Sequence, residues 1–144
     1  MNKLYVGMDV SQDDVKVYIL DQEGNEATKR FVVDNNPLGA ETIATNILEC
    51  CQRLSINKVF TGLESTSVYG WHLQFYLADH LGLKPYDPMI ISFNAKIIDA
   101  FKKSLGNLPK NDWIDAFSIA ERLRFGRLPK SCPVDFRYLA LQRL

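Results

Sequence analysis

Three β-rich runs crowd into the opening of the chain, at residues 4–10, 15–20 and 27–33, with only Ser11-Gln-Asp-Asp and Asp21-Gln-Glu-Gly-Asn between them. Links this short can reverse a strand, whereas parallel pairing needs a crossover of a dozen or more residues. Ser, Asp, Gly and Asn are turn formers, by side-chain bonding to the backbone or by tolerance of unusual φ. The first three strands are therefore expected to form an antiparallel meander. The period then changes. Asn36-Pro37 is a helix-start signal, and Ala40, Ile43, Ala44, Ile47, Cys51 and Leu54 keep one helical stripe up to Ser55-Ile-Asn.

Beyond that helix, residues 58–63 read as a strand running into Glu64, and Ser65-Thr-Ser supplies cap residues for a helix carrying Val68, Trp71, His72, Phe75 and Leu81. Residues 83–86 read as a brief fifth strand. Pro88 then starts a helix with Ile90, Phe93, Ile97, Phe101 and Leu105 on one side and Lys96, Asp99 and Lys103 on the other. After the loop Gly106-Asn-Leu-Pro-Lys-Asn, a helix is expected over 112–125, ending at Gly126. Residues 1–128 are assigned to one domain. Residues 129–144 are assigned to a connector and the start of a helix, marked by Phe136, Leu139, Ala140 and Leu144, that leads toward a C-terminal domain outside this chain.

With 144 residues, 47% of them hydrophobic and 24% charged, the chain fits one soluble globular domain. Its net charge of zero hides an asymmetry. Residues 1–72 carry 6 Lys and Arg against 10 Asp and Glu, and residues 73–144 carry 11 against 7. The second half is thus a candidate polyanion surface. Its basic residues flank an aspartate pair, with Lys96, Lys102, Lys103 and Lys110 before it and Arg122, Arg124, Arg127 and Lys130 after it. Scattered basic residues also make ordinary solvated faces. Three cysteines without framework or metal-ligand spacing fit a reduced, cytoplasmic protein, with one of Cys50 and Cys51 packed inward. His72 and His80 read as structural or exposed. No signal peptide and no apolar run of membrane-spanning length are present, so no membrane association is expected.

The pair itself, Asp112 and Asp115, lies three residues apart at the head of a helix whose stripe continues through Ala116, Ile119 and Leu123. Residues at that spacing share a face. Two further acids stand where strands should end, Asp9 and Glu64. Taken singly, each has a plain structural explanation. Asp112 makes a good cap, Asp115 a favourable first-turn charge, Asp9 a turn former and Glu64 an N-terminal helix charge. Together, converging carboxylates are costly to desolvate unless cations meet them. An oxygen-only set of this kind suits Mg2+, with Mn2+ as substitute.

Three antiparallel strands followed by helix, strand, helix, strand and helices is the element order of the ribonuclease-H-like, RuvC-like α/β fold. It implies a mixed five-stranded sheet with helices on both faces, the first and fourth strands adjacent and parallel. Asp9 and Glu64 would then leave the same sheet edge. At these residues the sequence resembles the DEDD-type transposases of bacterial insertion sequences, relatives of the Piv DNA invertase. The motifs are Val6-Gly-Met-Asp-Val-Ser, Leu63-Glu-Ser-Thr-Ser-Val-Tyr, Asp87-Pro-Met, Phe101-Lys-Lys-Ser-Leu-Gly and Lys110-Asn-Asp-Trp-Ile-Asp-Ala-Phe-Ser-Ile-Ala. The resemblance spans nearly the whole chain. It departs at Ser65-Thr-Ser, where Ala-Thr-Gly is more common, and at Asn111, where Thr or Ser is usual.

The resemblance implies that Asp9, Glu64, Asp112 and Asp115 are catalytic residues that bind magnesium for DNA strand cleavage and transfer. It further implies a serine nucleophile on a C-terminal domain absent here, a structured guide RNA and a homo-oligomeric full-length protein. Lys102, Lys103 and Lys110 would meet phosphates without reading sequence. Ser65, Ser67 and Ser104 are poor candidates for the nucleophile. Three alternatives stay open. A Holliday-junction resolvase or other ribonuclease-H-like nuclease would use the same acids with water as nucleophile. A sugar-kinase-like phosphotransferase shares the opening strand motif but needs a glycine-rich phosphate loop that the sequence lacks. A nucleic-acid-docking fragment could keep the acids without acting.

Overall fold

The polar links behave as their side chains dictate. In the first, the Ser11 hydroxyl oxygen accepts from the Asp14 N–H at 3.1 Å, and the Ser11 N–H donates to the Asp14 carbonyl at 2.9 Å. In the second, Asp21 Oδ1 accepts the N–H groups of Glu23 and Asn25, each at 3.0 Å, and Gly24 takes the left-handed φ of 88° that the reversal needs. These turns join β1 (Lys3–Val10), β2 (Asp14–Asp21) and β3 (Phe31–Asp34) into the expected antiparallel meander. The computed structural model describes residues 2–65, 68–106, 108 and 111–129.

The third strand is shorter than the 27–33 expected. Ala27 donates its N–H to the Ile19 carbonyl, Glu26 makes only an isolated bridge to Leu20, and the Ala27 carbonyl is taken by the Arg53 guanidinium. With those groups committed, regular pairing starts only at Phe31. Helix α1 (Pro37–Leu54) forms as its signals require: the Asn36 side chain accepts the Gly39 N–H at 2.8 Å, and Ser55, at φ 53°, ends it.

β4 (Lys58–Glu64) pairs parallel with β1, and β5 (Met89–Phe93) parallel with β4, giving the strand order β3-β2-β1-β4-β5. The fifth strand is therefore not at 83–86, where Lys84–Tyr86 forms a single 3-10 turn, but in the stretch expected to begin a helix after Pro88. Spacings such as Ile90 to Phe93 fit a helical stripe, yet Ile91 and Phe93 are both fully buried, a period of two, and β4 offers an open edge to pair with. The helix that follows, α3 (Ala95–Ser104), starts from Asn94, whose side chain accepts the Lys96 N–H at 2.9 Å.

Helix α2 (Trp71–Asp79) also starts later than expected. A 3-10 turn at Val68–Gly70 precedes it, Gly70 occupies the cap with no side-chain bond, and Leu81 lies past its end, exposed. Thr66 and Ser67 are outside the described residues. The last described helix, α4 (Ile114–Phe125), begins two residues after Asp112, because the Asn111 side chain accepts the Trp113 N–H at 2.8 Å and holds residues 111–113 in a turn. Gly126, at φ 87°, ends it as read. The expected connector and helix past residue 129 lie outside the described residues.

Strand alternation divides the core between two faces. Leu4, Val6 and Met8 pack with the buried stripes of α1 and α2, whereas Tyr5 joins Ile98 of α3 and Ala116, Ile119, Ala120 and Leu123 of α4 on the other side. Cys50 and Cys51 are both buried in the first cluster, and burial pushes their thiols up to about 11 and about 12, leaving them inert packing groups. Among the described residues no helix is long and apolar enough to cross a membrane.

Candidate metal centre

Parity decides where the strand acids point. Successive side chains of a strand alternate between faces, so Asp9 shares the face of Tyr5 and Gly7, the side covered by α4. Gly7 is the Cα partner of Gly62 in the parallel pair. Two residues further along each strand come Asp9 and Glu64, which therefore leave neighbouring strands at the same edge and on the same face.

The two glycines let α4 lie directly on that face. A Cβ on Gly7 would stand 2.1 Å from the Ala116 carbonyl oxygen and 2.6 Å from the Ala120 nitrogen, so the helix backbone occupies the space a side chain would need. This close approach carries the first turn of α4, with Asp115, up to the strand acids. On the far side of the edge, Asn35 ties neighbouring loops together: its amide nitrogen donates to the carbonyls of Ser11 at 2.7 Å and Tyr69 at 3.0 Å, and its oxygen lies 2.5 Å from His72 Nε2. His72 thus has a structural partner, as does His80, 3.3 Å from Glu41.

The acids feel each other. Partial burial raises the Asp9 carboxyl above its ordinary value, and the negative charges of Asp115 and Asp14 add to this while Lys16 and Lys102 oppose it. Glu64 is likewise raised, first by burial and then by Asp115, with Asp99 and Asp9 adding and Lys102 opposing. Asp9, Glu64 and Asp115 therefore form one electrostatic group at the sheet edge. Asp112 sits a turn earlier, exposed in the bend before α4, and not in the helix's first turn as expected from sequence.

Two residues of α3 belong beside this group. Lys102 Nζ donates to Asp115 Oδ1 at 2.6 Å and lies 3.6 Å from Asp99 Oδ1, and the bond to Asp115 holds its ammonium above the usual lysine value. Asp99 was legible only as part of a polar helix face, although its i,i+3 spacing from Lys102 was a usable signal. Lys103 is exposed on the same helix, and Lys110 is outside the described residues.

The donor chemistry fits a hard divalent cation. All the groups offered are carboxylate oxygens, they are partly desolvated, and one of them, Asp115, already accepts a cationic group, the Lys102 ammonium. As placed, no three His, Cys, Asp or Glu side chains among the described residues close around a common point. The carboxylates are gathered at one edge with Lys102 held against one of them.

A pH test follows from the raised carboxyls. A group that binds its proton more readily folded than unfolded makes stability fall as pH rises, from the ordinary carboxylate range near ~4 up through the raised folded value. Asp9→Asn removes that penalty. Without divalent ions, its melting temperature is expected to exceed wild type by a margin that grows across this window; thermal melts from pH 3.5 to 7 with a constant or shrinking margin would contradict the coupling.

A five-stranded sheet in this order, meander first and parallel strands after, with helices on both faces, is the RuvC-like, ribonuclease-H-like fold. Solved structures that share it include Thermus thermophilus RuvC in complex with a Holliday junction substrate, at TM-score 0.56 and 14% identity over 93% of this chain and 99% of that one, and a second Thermus thermophilus RuvC structure, at TM-score 0.54 and 16% identity over 89% and 98%. A family described as transposase, the IS110-type DEDD transposases, matches residues 6–144, and the chain belongs to that family. No curated protein sequence matches the chain significantly.

Proposed function

We propose that this chain is the metal-binding catalytic domain of a DNA transposase or site-specific recombinase, cutting and transferring DNA strands with Asp9, Glu64, Asp115 and Asp112 as its carboxylate set. The observation that carries this reading is the meeting of Asp9, Glu64 and Asp115 at one sheet edge, from residues far apart in sequence, under a family match to transposases. Bound there, Mg2+ would offset the charge that develops on the attacking and leaving oxygens of a phosphodiester. Asp9 and Glu64, on rigid neighbouring strands, would supply fixed ligands. Asp115 would supply the third from α4, and Asp112, exposed in the turn before that helix, would complete the set. Exposed Lys103, with Lys110, provides phosphate contacts that weaken with salt. The nucleophile in this reading is a serine hydroxyl from a C-terminal domain, and the assembled protein is a homo-oligomer working on DNA, with a structured RNA as its guide.

The likeness in fold to a resolvase supports one second reading, direct hydrolysis of branched DNA with water as nucleophile. The two separate cleanly. The 144-residue chain with Mg2+ and a synthetic four-way junction is expected to bind but leave the DNA uncut, while a longer protein with the C-terminal domain recombines. Mg2+-dependent junction cutting by this chain alone, abolished by Glu64→Gln, would overturn the serine route in favour of the hydrolytic one.

A further inference from the structure

The acid group is already partly neutralised from within. Lys102 is the cation bonded to Asp115, at 2.6 Å, and it also lies 3.6 Å from Asp99 on its own helix. Its side chain is only 29% exposed, so much of its aliphatic stem is spent reaching inward from α3. A lysine serving only a solvated helix face would leave its head in water. The same carboxylate, Asp115, is the one that bears on both Asp9 and Glu64.

We propose that Lys102 is a built-in competitor for the divalent ion, holding Asp115 in the metal-free protein and giving it up when the ion binds. The inference rests on the metal-centre reading above and deepens it. One carboxylate cannot give its full charge to an ammonium and to a divalent cation together, so occupancy by one weakens the other, and by linkage the effect is reciprocal. In the metal-free protein the Asp115 carboxylate is bonded toward α3. Only after leaving Asp115 could the Lys102 ammonium turn to a DNA phosphate. Metal entry would then prepare the phosphate contact, and protein without metal would lack it.

The test is metal binding, not activity. Isothermal titration of the 144-residue chain with Mn2+ is expected to show binding about tenfold tighter for Lys102→Met than for wild type, within the usual range of coupling between linked sites. In unmodified protein, the Lys102 side-chain 15N resonance is expected to move and lose protection from exchange as Mg2+ is added; this arm stands even if the variant folds poorly. Unchanged or weaker Mn2+ binding by Lys102→Met, with binding still lost in Asp9→Asn, would overturn the competitor role and leave the metal centre intact. A lysine resonance unmoved at saturating Mg2+ would do the same. Wild-type Mn2+ binding that is indifferent to Asp9→Asn would sink the metal-centre reading itself, and the competitor role with it.

Discussion

Gly7→Ala is expected to destabilise the protein by about 3 kcal/mol or more, a loss at the upper end for overpacking. For a domain of this size that lowers the melting temperature by roughly 10 °C. The added methyl would meet two backbone atoms of α4, the Ala116 carbonyl oxygen at 2.1 Å and the Ala120 nitrogen at 2.6 Å, and a helix backbone can yield only by moving as a whole. Gly62→Ala provides the contrast within the same interface. Its Cβ would touch the ends of side chains, Phe93 at 3.0 Å, Ile119 at 3.1 Å and Leu123 at 3.2 Å, which can rotate aside. It should cost no more than about 1.5 kcal/mol. Chemical denaturation of both variants checks the ordering, and equal losses would refute the close-docking account of α4. If Gly7→Ala survives folding, its helix must have shifted away from β1, taking Asp115 with it. Metal binding should then weaken even in the folded fraction.

Under the proposed function, Asp9→Asn is expected to suppress strand cleavage while leaving the fold intact. Asparagine keeps the shape and loses the charge. Losing one anionic ligand forfeits several kcal/mol of charge stabilisation, and at 1.36 kcal/mol per tenfold, about 4 kcal/mol is a thousandfold in rate. The expectation is therefore a fall of roughly a thousandfold in recombination by the full-length protein, with near-native circular dichroism. Glu64→Gln should behave alike. A variant that recombines at more than about a tenth of the wild-type rate would remove Asp9 from the catalytic set.

Much of this architecture is visible in the order of residues because local rules and tertiary demands agree there. The two polar links around β2 leave no option but reversal, and Asn36-Pro37 specifies a helix start that nothing later contradicts. The disagreements cluster where a segment can satisfy two periods. Residues 89–93 carry apolar side chains at both helical and strand spacing, and the choice was made by the unpaired edge of β4, a fact of assembly with no local trace. At 111–113, a side-chain bond from Asn111 outcompeted the capping role read into Asp112. For the site, the strand acids could be read from strand ends and parity. The attachment of Lys102 to Asp115 could not, because it depends on how α3 and α4 pack, two helices whose contact leaves no pattern in either sequence.

The docking of α4 onto β1 joins the beginning of the chain to a segment more than a hundred residues later. During synthesis, the strand carboxylates emerge long before Asp115 does, and a ribosome-bound or prematurely terminated polypeptide ending near residue 110 would hold Asp9 and Glu64 without their partner. Under the proposed function, a hazardous DNA-breaking capacity would therefore be withheld from products that stop before α4, because Asp115 is the last of the three gathered carboxylates to arrive, ahead only of the nucleophile.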